Sequence, residues 1–234
     1  YRASSRLGAA PSLMWSPTVW LGSEAEPRLV SSPYRGRDCV NEADTCRTYV
    51  VPRLQAAGWE HDPHSISEQR GFTDGRIAVA GSRTARRKHQ KADYLLRYTR
   101  DKALAVVEAK AEYKAPAEGL GQAKGYAEVL GLKFAYSTNG TGIVEFDFLA
   151  GTETNLDAFP TPDELWRRLK LAEGITETQE AQILTPGHHQ PGRALRYYQE
   201  VAVNRTVQAI VQGKRRLLLT MATGTGKTET AFQI

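Results

Sequence analysis

The sequence predicts an α/β fold in which helices flank a mixed central sheet, followed by a linker and by the first strand, glycine-rich loop and helix of a second domain. Two short apolar runs, 92–97 and 105–110, are typical of strands and are joined by a charged turn at 99–102. A helix-like stretch and two more strand-like runs follow, and a glycine-rich loop stands at 221–228. Helices that alternate with strands in this way favour a sheet covered by helices.

The first 150 residues divide into an arm and a first domain at 37–150. Residues 1–36 are rich in Pro, Ser and Gly, and we expect an irregular arm there. A helix is predicted at 41–57; it either kinks at Pro52 or passes there into a second short helix, and it ends at Gly58. The other elements predicted in this domain are strands at 61–70, 76–80, 92–97, 105–110, 133–138 and 143–148 and a helix at 117–130.

Residues 151–192 differ in character from the domain before them. We predict one short amphipathic helix at 163–171 and a linker that ends in the Pro- and Gly-containing run 185–192. The start of a second domain is expected at 193–234. Its predicted elements are a helix at 195–212, a strand at 217–220 and a helix at 229–234.

Composition and charge restrict the class of protein. The 234 residues are 41% hydrophobic and 24% charged, which is ordinary for a folded chain. A net charge of +5 and a pI of about 9.2 permit an anionic partner. Only Cys39 and Cys46 are present and no run of 18 apolar residues occurs, so we expect a cytoplasmic protein without a disulfide scaffold or a membrane segment.

The predicted hairpin carries three charged residues at one end. Asp93 opens its first strand, and Glu108 and Lys110 close its second. Because side chains alternate along a strand, Glu108 and Lys110 point the same way, and antiparallel pairing would bring Asp93 close to both. Two carboxylates and the Ala109 carbonyl would supply the hard oxygen ligands that Mg²⁺ prefers, and Lys110 would stabilise charge that develops at phosphorus. The pattern therefore predicts metal-assisted phosphodiester cleavage, with a surface hairpin that bears exposed charges as the alternative.

Glu42 and a basic run are further candidates around this centre. Glu42 is a possible fourth acidic residue of the site; from spacing alone, a place in the first turn of a helix, where the dipole favours acids, accounts for it better. The basic run would suit contacts with a DNA backbone, and its alternative is a solvated loop between strands. Its cationic residues are Arg83, Arg86, Arg87, Lys88 and Lys91.

A phosphate-binding arrangement stands near the end of the sequence. Residues 221–228 read Met-Ala-Thr-Gly-Thr-Gly-Lys-Thr between a predicted strand and a predicted helix. Glycines let backbone N–H groups surround phosphates, the lysine reaches the β and γ oxygens, and the threonine hydroxyl binds Mg²⁺. We therefore predict ATP and Mg²⁺ as cofactors, bound by Gly224, Thr225, Gly226, Lys227 and Thr228.

The helix before this loop begins with an aromatic residue followed by Gln199, a pattern that suits stacking on adenine and bonding to its edge. The alternative is a buried aromatic pair, Tyr197 and Tyr198, on an amphipathic helix. The sequence contains no acidic motif for metal and water and no second motor lobe. We therefore expect a fragment of a larger ATP-driven protein that does not hydrolyse ATP as a motor by itself.

From about Asn41 the sequence resembles the N-terminal part of the motor and cleavage (R) subunit of type I restriction enzymes. The features that carry the resemblance are Asp93, Glu108-Ala109-Lys110, the pair Gln122 and Tyr126, and the loop 221–228. The first three look like the PD-(D/E)xK nuclease signature in its RecB-like form, with Ala92 where that signature has proline. The resemblance implies a restriction-endonuclease-like core, a RecA-like superfamily 2 helicase motor, and roles for Gln122 and Tyr126 in the nuclease site. As an alternative, these two are a core-facing polar pair, four residues apart on one helix face.

The same resemblance implies an ATP-dependent type I site-specific deoxyribonuclease. Such an enzyme would cleave double-stranded DNA with Mg²⁺, couple cleavage to ATP-driven translocation, and assemble with specificity and methyltransferase subunits. Two alternatives remain open at this point. One is a DNA helicase or translocase whose N-terminal domain only binds nucleic acid, and the other is a repair helicase–nuclease.

Overall fold

The computed structural model describes residues 45–72, 77–80, 83–86, 90–188 and 194–234. All of these lie in one compact unit, Arg37–Ile234. The predicted arm 1–36 and Glu42 lie outside the described residues.

A six-stranded mixed sheet organises the described chain. The described strands are β1 (Ser65–Phe72), β2 (Ile77–Ala80), β3 (Arg83–Arg86), β4 (Gln90–Thr99), β5 (Lys102–Ala109), β6 (Phe134–Thr138), β7 (Ile143–Asp147) and β8 (Thr152–Leu156). The sheet has the spatial order β1-β4-β5-β6-β7-β8, and a separate hairpin pairs β2 with β3. Among these strands the β5–β6 pair is parallel, and the other pairs are antiparallel.

Helices cover both faces of this sheet. The described α-helices are α1 (Val51–Ala56), α2 (Leu120–Leu130), α3 (Pro162–Glu173), α4 (Glu177–Ile183), α5 (Tyr197–Val211) and α6 (Lys227–Phe232). One face of the sheet packs on α2 through a cluster that includes Val106 and Ala127. The other face packs on α1, α3 and α4 around Trp59, Val107 and Leu165. The α/β class with a mixed sheet between helices is therefore confirmed.

The predicted hairpin and crossover are present. Strands β4 and β5 pair across the charged turn, and α2 then carries the chain over to β6, which lies parallel to β5. The Asn139-Gly140 signal stands at the turn between β6 and β7, where Gly140 has a φ of +89°. Glycine adopts this left-handed conformation without a steric penalty, which explains why the turn forms at this dipeptide.

The helix predicted at 41–57 proves to be two elements in its described part. A π-helical turn, Cys46–Val50, passes into α1, whose first turn contains Pro52. Proline lacks a backbone N–H, and the first turn of a helix is where that donor is not needed. The second of the two outcomes predicted at Pro52 is therefore the one observed.

Three predictions of local structure are wrong. The predicted strand 217–220 is not a strand: it has no strand beside it in the described residues, and a lone segment cannot form the ladder of hydrogen bonds. Part of the basic run, Arg83–Arg86, is a strand rather than a loop. Helix α4 and strand β8 arise within a stretch where the sequence predicted only one helix and a linker.

Helix α5 is attached to the sheet by ion pairs. Glu200 accepts hydrogen bonds from Arg97 at 2.5 Å and from Arg70 at 3.2 Å, and both arginines belong to sheet strands. Asn204, one turn further along α5, donates to the backbone carbonyl of Asp101 at 2.9 Å. These contacts connect the segment that carries the glycine-rich loop to the β4–β5 hairpin. None of the described helices combines the length and apolarity needed to cross a bilayer.

Candidate active site

The β4–β5 hairpin brings the three predicted charged residues to one end of the sheet. Tyr94 pairs with Val107, which sets Asp93 on β4 beside the end of β5. The Asp93 carboxylate accepts a hydrogen bond from the backbone N–H of Ala109 at 2.9 Å. Asp93 therefore lies against the peptide that separates Glu108 from Lys110.

The backbone at Ala109 is oriented by strands on both sides. The N–H of Lys110 donates to the Thr138 carbonyl on β6 at 2.8 Å. A planar trans peptide directs its N–H and C=O to opposite sides, so the Ala109 carbonyl points away from β6 and towards Asp93 on β4. The carbonyl predicted as a metal ligand thus faces the same side as one of the two predicted carboxylates.

A chain of hydrogen bonds connects the second carboxylate to helix α2. Lys110 Nζ donates to Glu108 Oε1 at 2.8 Å and to Gln122 Oε1 at 3.2 Å. The Gln122 amide then donates to the Tyr126 hydroxyl at 2.6 Å. Gln122 and Tyr126 lie on the same face of α2, as their four-residue spacing requires. The structure thus brings the four side chains into one network, and their functional roles stay predictions.

Burial shapes the electrostatics of this network. Glu108 is 2% exposed, and the Lys110 side chain is 13% exposed. Burial raises the pKa of the Tyr126 hydroxyl, and the nearby carboxylates of Glu108 and Asp93 raise it further, while the hydrogen bond from Gln122 and the charge of Lys110 act in the opposite direction. Tyr126 therefore stays a neutral hydroxyl beside the charged groups.

Ser137 and Gly119, which lie behind the Glu108–Lys110 pair, were not identified from the sequence. Ser137 on β6 is fully buried and stands opposite Glu108 in the parallel pairing. Its Oγ accepts the N–H of Gly119 at 3.1 Å and donates to the Pro116 carbonyl at 2.6 Å. Strand register and the path of the turn before α2 create this arrangement, and neither leaves a local signal in the sequence.

The oxygen donors at this end of the sheet suit a hard divalent cation. Within the described part of the chain, no three His, Cys, Asp or Glu side chains converge on a common point. The predicted ligand set contains only two such side chains, Asp93 and Glu108, together with the Ala109 carbonyl. Glu42, the candidate fourth acid, is not among the described residues.

The glycine-rich loop has the backbone that its motif requires. Gly224 and Gly226 have φ values of +77° and +84°, which glycine adopts without strain. Helix α6 begins directly after the second of them, with Lys227 and Thr228 exposed on its first turn. Among the described residues, Lys227 Nζ donates to the Met221 carbonyl alone, at 3.3 Å. The lysine and threonine are therefore accessible to a ligand.

Gln199 contacts this loop from helix α5. It is 6% exposed, and its amide donates to the carbonyls of Thr225 at 3.2 Å and Gly226 at 3.3 Å. The neighbouring Tyr198 hydroxyl also donates to the Thr225 carbonyl, at 3.3 Å. Gln199 therefore lies at the phosphate loop, and its predicted contact with adenine stays a prediction.

Known proteins resemble this chain in both sequence and structure. The type I restriction enzyme EcoAI endonuclease subunit of Escherichia coli is 38% identical over 203 residues, which cover 83% of this chain and 25% of that protein. A solved fragment assigned to the HsdR subunit of a type I restriction enzyme from Vibrio vulnificus YJ016 is 57% identical, with a TM-score of 0.73 over 82% of this chain and 37% of that chain. The chain is homologous to type I restriction enzyme endonuclease subunits.

Two further matches agree with that relationship. The type I restriction enzyme EcoKI endonuclease subunit of Escherichia coli strain K12 is 37% identical over 114 residues, 43% of this chain and 9% of that protein. A family model described as the type III restriction enzyme res subunit matches residues 193–234, which contain the phosphate loop. The chain spans about a quarter of the EcoAI endonuclease subunit and a smaller share of the EcoKI subunit.

Proposed function

We propose that this chain forms the nuclease centre and the ATP-binding loop of an ATP-dependent type I restriction endonuclease subunit. The nuclease centre would cleave phosphodiester bonds of double-stranded DNA with Mg²⁺, and the loop would bind ATP for a motor that translocates DNA. The observation that carries the proposal is the network in which Lys110 bonds both Glu108 and Gln122 while Asp93 holds the intervening peptide. Homology to endonuclease subunits supports it independently.

Each residue of the centre would have a distinct task. Asp93, Glu108 and the Ala109 carbonyl would hold Mg²⁺, which supplies a water of lowered pKa and stabilises charge at phosphorus. Lys110, held by Glu108 and Gln122, would orient the attacking water or neutralise the developing charge. Gln122 and Tyr126 would keep the lysine in place from helix α2.

The loop would serve the motor rather than the cut itself. Backbone N–H groups of Gly224, Thr225 and Gly226 would surround the phosphates, and Lys227 would reach the β and γ oxygens. The Thr228 hydroxyl would bind the Mg²⁺ that accompanies ATP, and Gln199 would contact the adenine. Partner subunits for DNA specificity and methylation would complete the assembly.

DNA cleavage and ATP hydrolysis can be tested separately by single substitutions in the full-length protein assembled with its partner subunits. Lys110→Ala should lower cleavage of unmethylated DNA by at least about 10²–10³-fold, the usual cost of losing one transition-state contact, while ATPase and translocation continue. Lys227→Ala should stop ATPase and, through lost translocation, cleavage. Lys114→Ala is the matched control, because Lys114 is four residues away in the sequence and its ion pair in the described part of the chain is with Glu118, at 2.6 Å, on the protein surface.

Persistent cutting by the Lys110→Ala protein would contradict the nuclease assignment. A wild-type protein that binds DNA and hydrolyses ATP but never cuts would favour the alternative, a translocase whose N-terminal domain only binds nucleic acid. Cutting that needs no methyltransferase subunit would favour a repair helicase–nuclease.

A further inference from the structure

Gly119 lies directly behind the Glu108–Lys110 pair. It ends the 3₁₀ turn Pro116–Gly119 and precedes α2. A β-carbon at this position would lie 2.7 Å from Ser137 Oγ, 3.1 Å from Glu108 Cγ and 3.1 Å from Lys110 Cε. These distances are shorter than ordinary van der Waals contacts, so a methyl group would displace its neighbours by several tenths of an ångström.

Backbone conformation does not explain glycine at this position. Gly119 has φ −84° and ψ −8°, which any L-residue adopts. Alanine also has a higher helix propensity than glycine, so the start of α2 would tolerate it. The lack of space beside Glu108 and Lys110 is the feature that requires glycine.

Ser137 closes the other side of this space. Its Oγ is held by two hydrogen bonds, one from the Gly119 N–H and one to the Pro116 carbonyl. The residue is fully buried in the centre of the sheet. Because Ser137 cannot move away without losing both hydrogen bonds, a methyl group on residue 119 would be pushed towards Glu108 and Lys110.

We propose that Gly119 is a positioning residue of the nuclease centre. With Ser137 behind it, it forms a close-fitting wall that holds the Glu108 carboxylate and the Lys110 ammonium in the geometry needed for metal binding and cleavage. The inference rests on the proposed function of Asp93, Glu108 and Lys110. The inference adds two uncharged groups to the proposed site, the Gly119 backbone and the Ser137 hydroxyl.

The test compares Gly119→Ala with Gly121→Ala in the full-length protein with its partner subunits. Gly121 is a matched control, because it is exposed on the first turn of α2 and a β-carbon there meets no atom within 4 Å. Gly119→Ala should cut DNA about tenfold more slowly, with ATPase unchanged, since a misplacement of about 1 Å in an active site can cost about 100-fold and the displacement here is several tenths of an ångström. Gly121→Ala should cut like the wild type.

Metal binding gives a readout without turnover. Mn²⁺ affinity, measured by electron paramagnetic resonance in the absence of DNA and ATP, should fall several-fold in Gly119→Ala and stay unchanged in Gly121→Ala. Ser137→Ala removes the atom nearest to the added methyl group. The double variant Gly119→Ala/Ser137→Ala should therefore cut faster than Gly119→Ala but more slowly than Ser137→Ala, because the methyl group still lies 3.1 Å from Glu108 Cγ and Lys110 Cε.

The outcomes separate the inference from the function on which it rests. If Gly119→Ala cuts DNA and binds Mn²⁺ like Gly121→Ala while Lys110→Ala does not cut, the positioning role is wrong and the nuclease centre stands. If Lys110→Ala cuts like the wild type, the proposed function fails and the inference fails with it. If Gly119→Ala does not fold, the double variant decides: Mn²⁺ affinity equal to that of Ser137→Ala overturns the inference, and weaker affinity supports it.

Discussion

At the scale of single residues, the candidate centre depends on where the Lys110 ammonium is held. This ammonium donates to Oε1 of Glu108 and to Oε1 of Gln122, and the Gln122 amide donates in turn to the Tyr126 hydroxyl. The Tyr126 ring packs edge-on against Phe72 with ring centroids 5.0 Å apart. The Tyr126 hydroxyl, on a ring held by packing, therefore orients the Gln122 amide, which contacts the Lys110 ammonium.

Tyr126→Phe isolates this contribution. It removes only the hydroxyl and keeps the ring, so the fold should stay intact, while the Gln122 amide loses its acceptor. A hydrogen bond of this kind is worth about 0.5–1.5 kcal/mol, so DNA cleavage should slow by a few-fold to about tenfold with ATPase unchanged. The measurement is the single-turnover cleavage rate of the assembled protein.

Tyr98→Phe is the matched control for that variant. It removes a comparable hydrogen bond, from the Tyr98 hydroxyl to Asp163 at 3.1 Å, on a residue packed in the other core cluster. Equal slowing of cleavage by the two variants would mean that the Tyr126 hydroxyl has no specific role in the centre.

At the scale of elements, Arg168 joins helix α3 to two carboxylates of the sheet. Arg168 donates to both carboxylate oxygens of Glu145, at 3.0 and 2.7 Å, and to Asp147 at 2.6 Å. Glu145 also accepts the hydroxyl hydrogen of the buried Tyr136 at 2.5 Å. The side chains of Glu145 and Asp147 are 5% and 10% exposed, so their charges depend on Arg168 for compensation.

Arg168→Met keeps much of the apolar stem but leaves two largely buried carboxylates without their cation. It should lower the free energy of unfolding by about 3 kcal/mol, the low end for a broken buried ion pair, because the Arg168 side chain is itself 25% exposed. Arg167→Met is the control: Arg167 is the adjacent residue on α3 and is exposed. Chemical denaturation of the purified variants measures the difference. Equal stability of the two variants would mean that the bonds from Arg168 to Glu145 and Asp147 do not stabilise the fold.

At the scale of the whole molecule, stability should depend on pH in the alkaline range. Burial raises the pKa of Tyr98 to about 12, with Asp163 adding to the effect, from an ordinary value of 10.0. Burial also raises the pKa values of Tyr94 and Tyr136. The folded state therefore holds these phenolic protons more tightly than the unfolded state does.

Because the folded state holds these protons more tightly, the stability of the fold should decrease as pH rises through the tyrosine pKa values. The contribution of these hydroxyls is fully present below pH 10, the ordinary tyrosine pKa, and is lost as pH rises towards the raised values. The melting temperature should fall as pH rises from about 10 to about 12, the ordinary and the raised pKa of Tyr98, and the melting temperature of Tyr98→Phe should fall less steeply than that of the wild type. Thermal unfolding combined with tyrosinate absorbance measures both, and a melting temperature independent of pH over this range would contradict the prediction.

Local patterns explain which parts of the fold were predictable. The proximity of Asp93, Glu108 and Lys110 could be predicted because strand alternation and one short turn are enough to bring them together. Helix α4 and strand β8 were missed, since they are short and mostly exposed, without the apolar periodicity that a pattern can detect. The strand predicted at 217–220 has local propensity but no partner strand in the described residues, and propensity alone does not form a sheet.

The sequence by itself determined the α/β class, the hairpin with its charged end, the helix of Gln122 and Tyr126, and the glycine-rich loop, because each depends on neighbours within a few residues. Only the tertiary structure decided that Ser137 stands beside Glu108, that Gly119 leaves no room for a methyl group, and that Glu200 joins α5 to the sheet. These contacts depend on strand register and on the path of connections between distant segments. Such relations arise when the whole chain packs, and no local stretch of sequence encodes them.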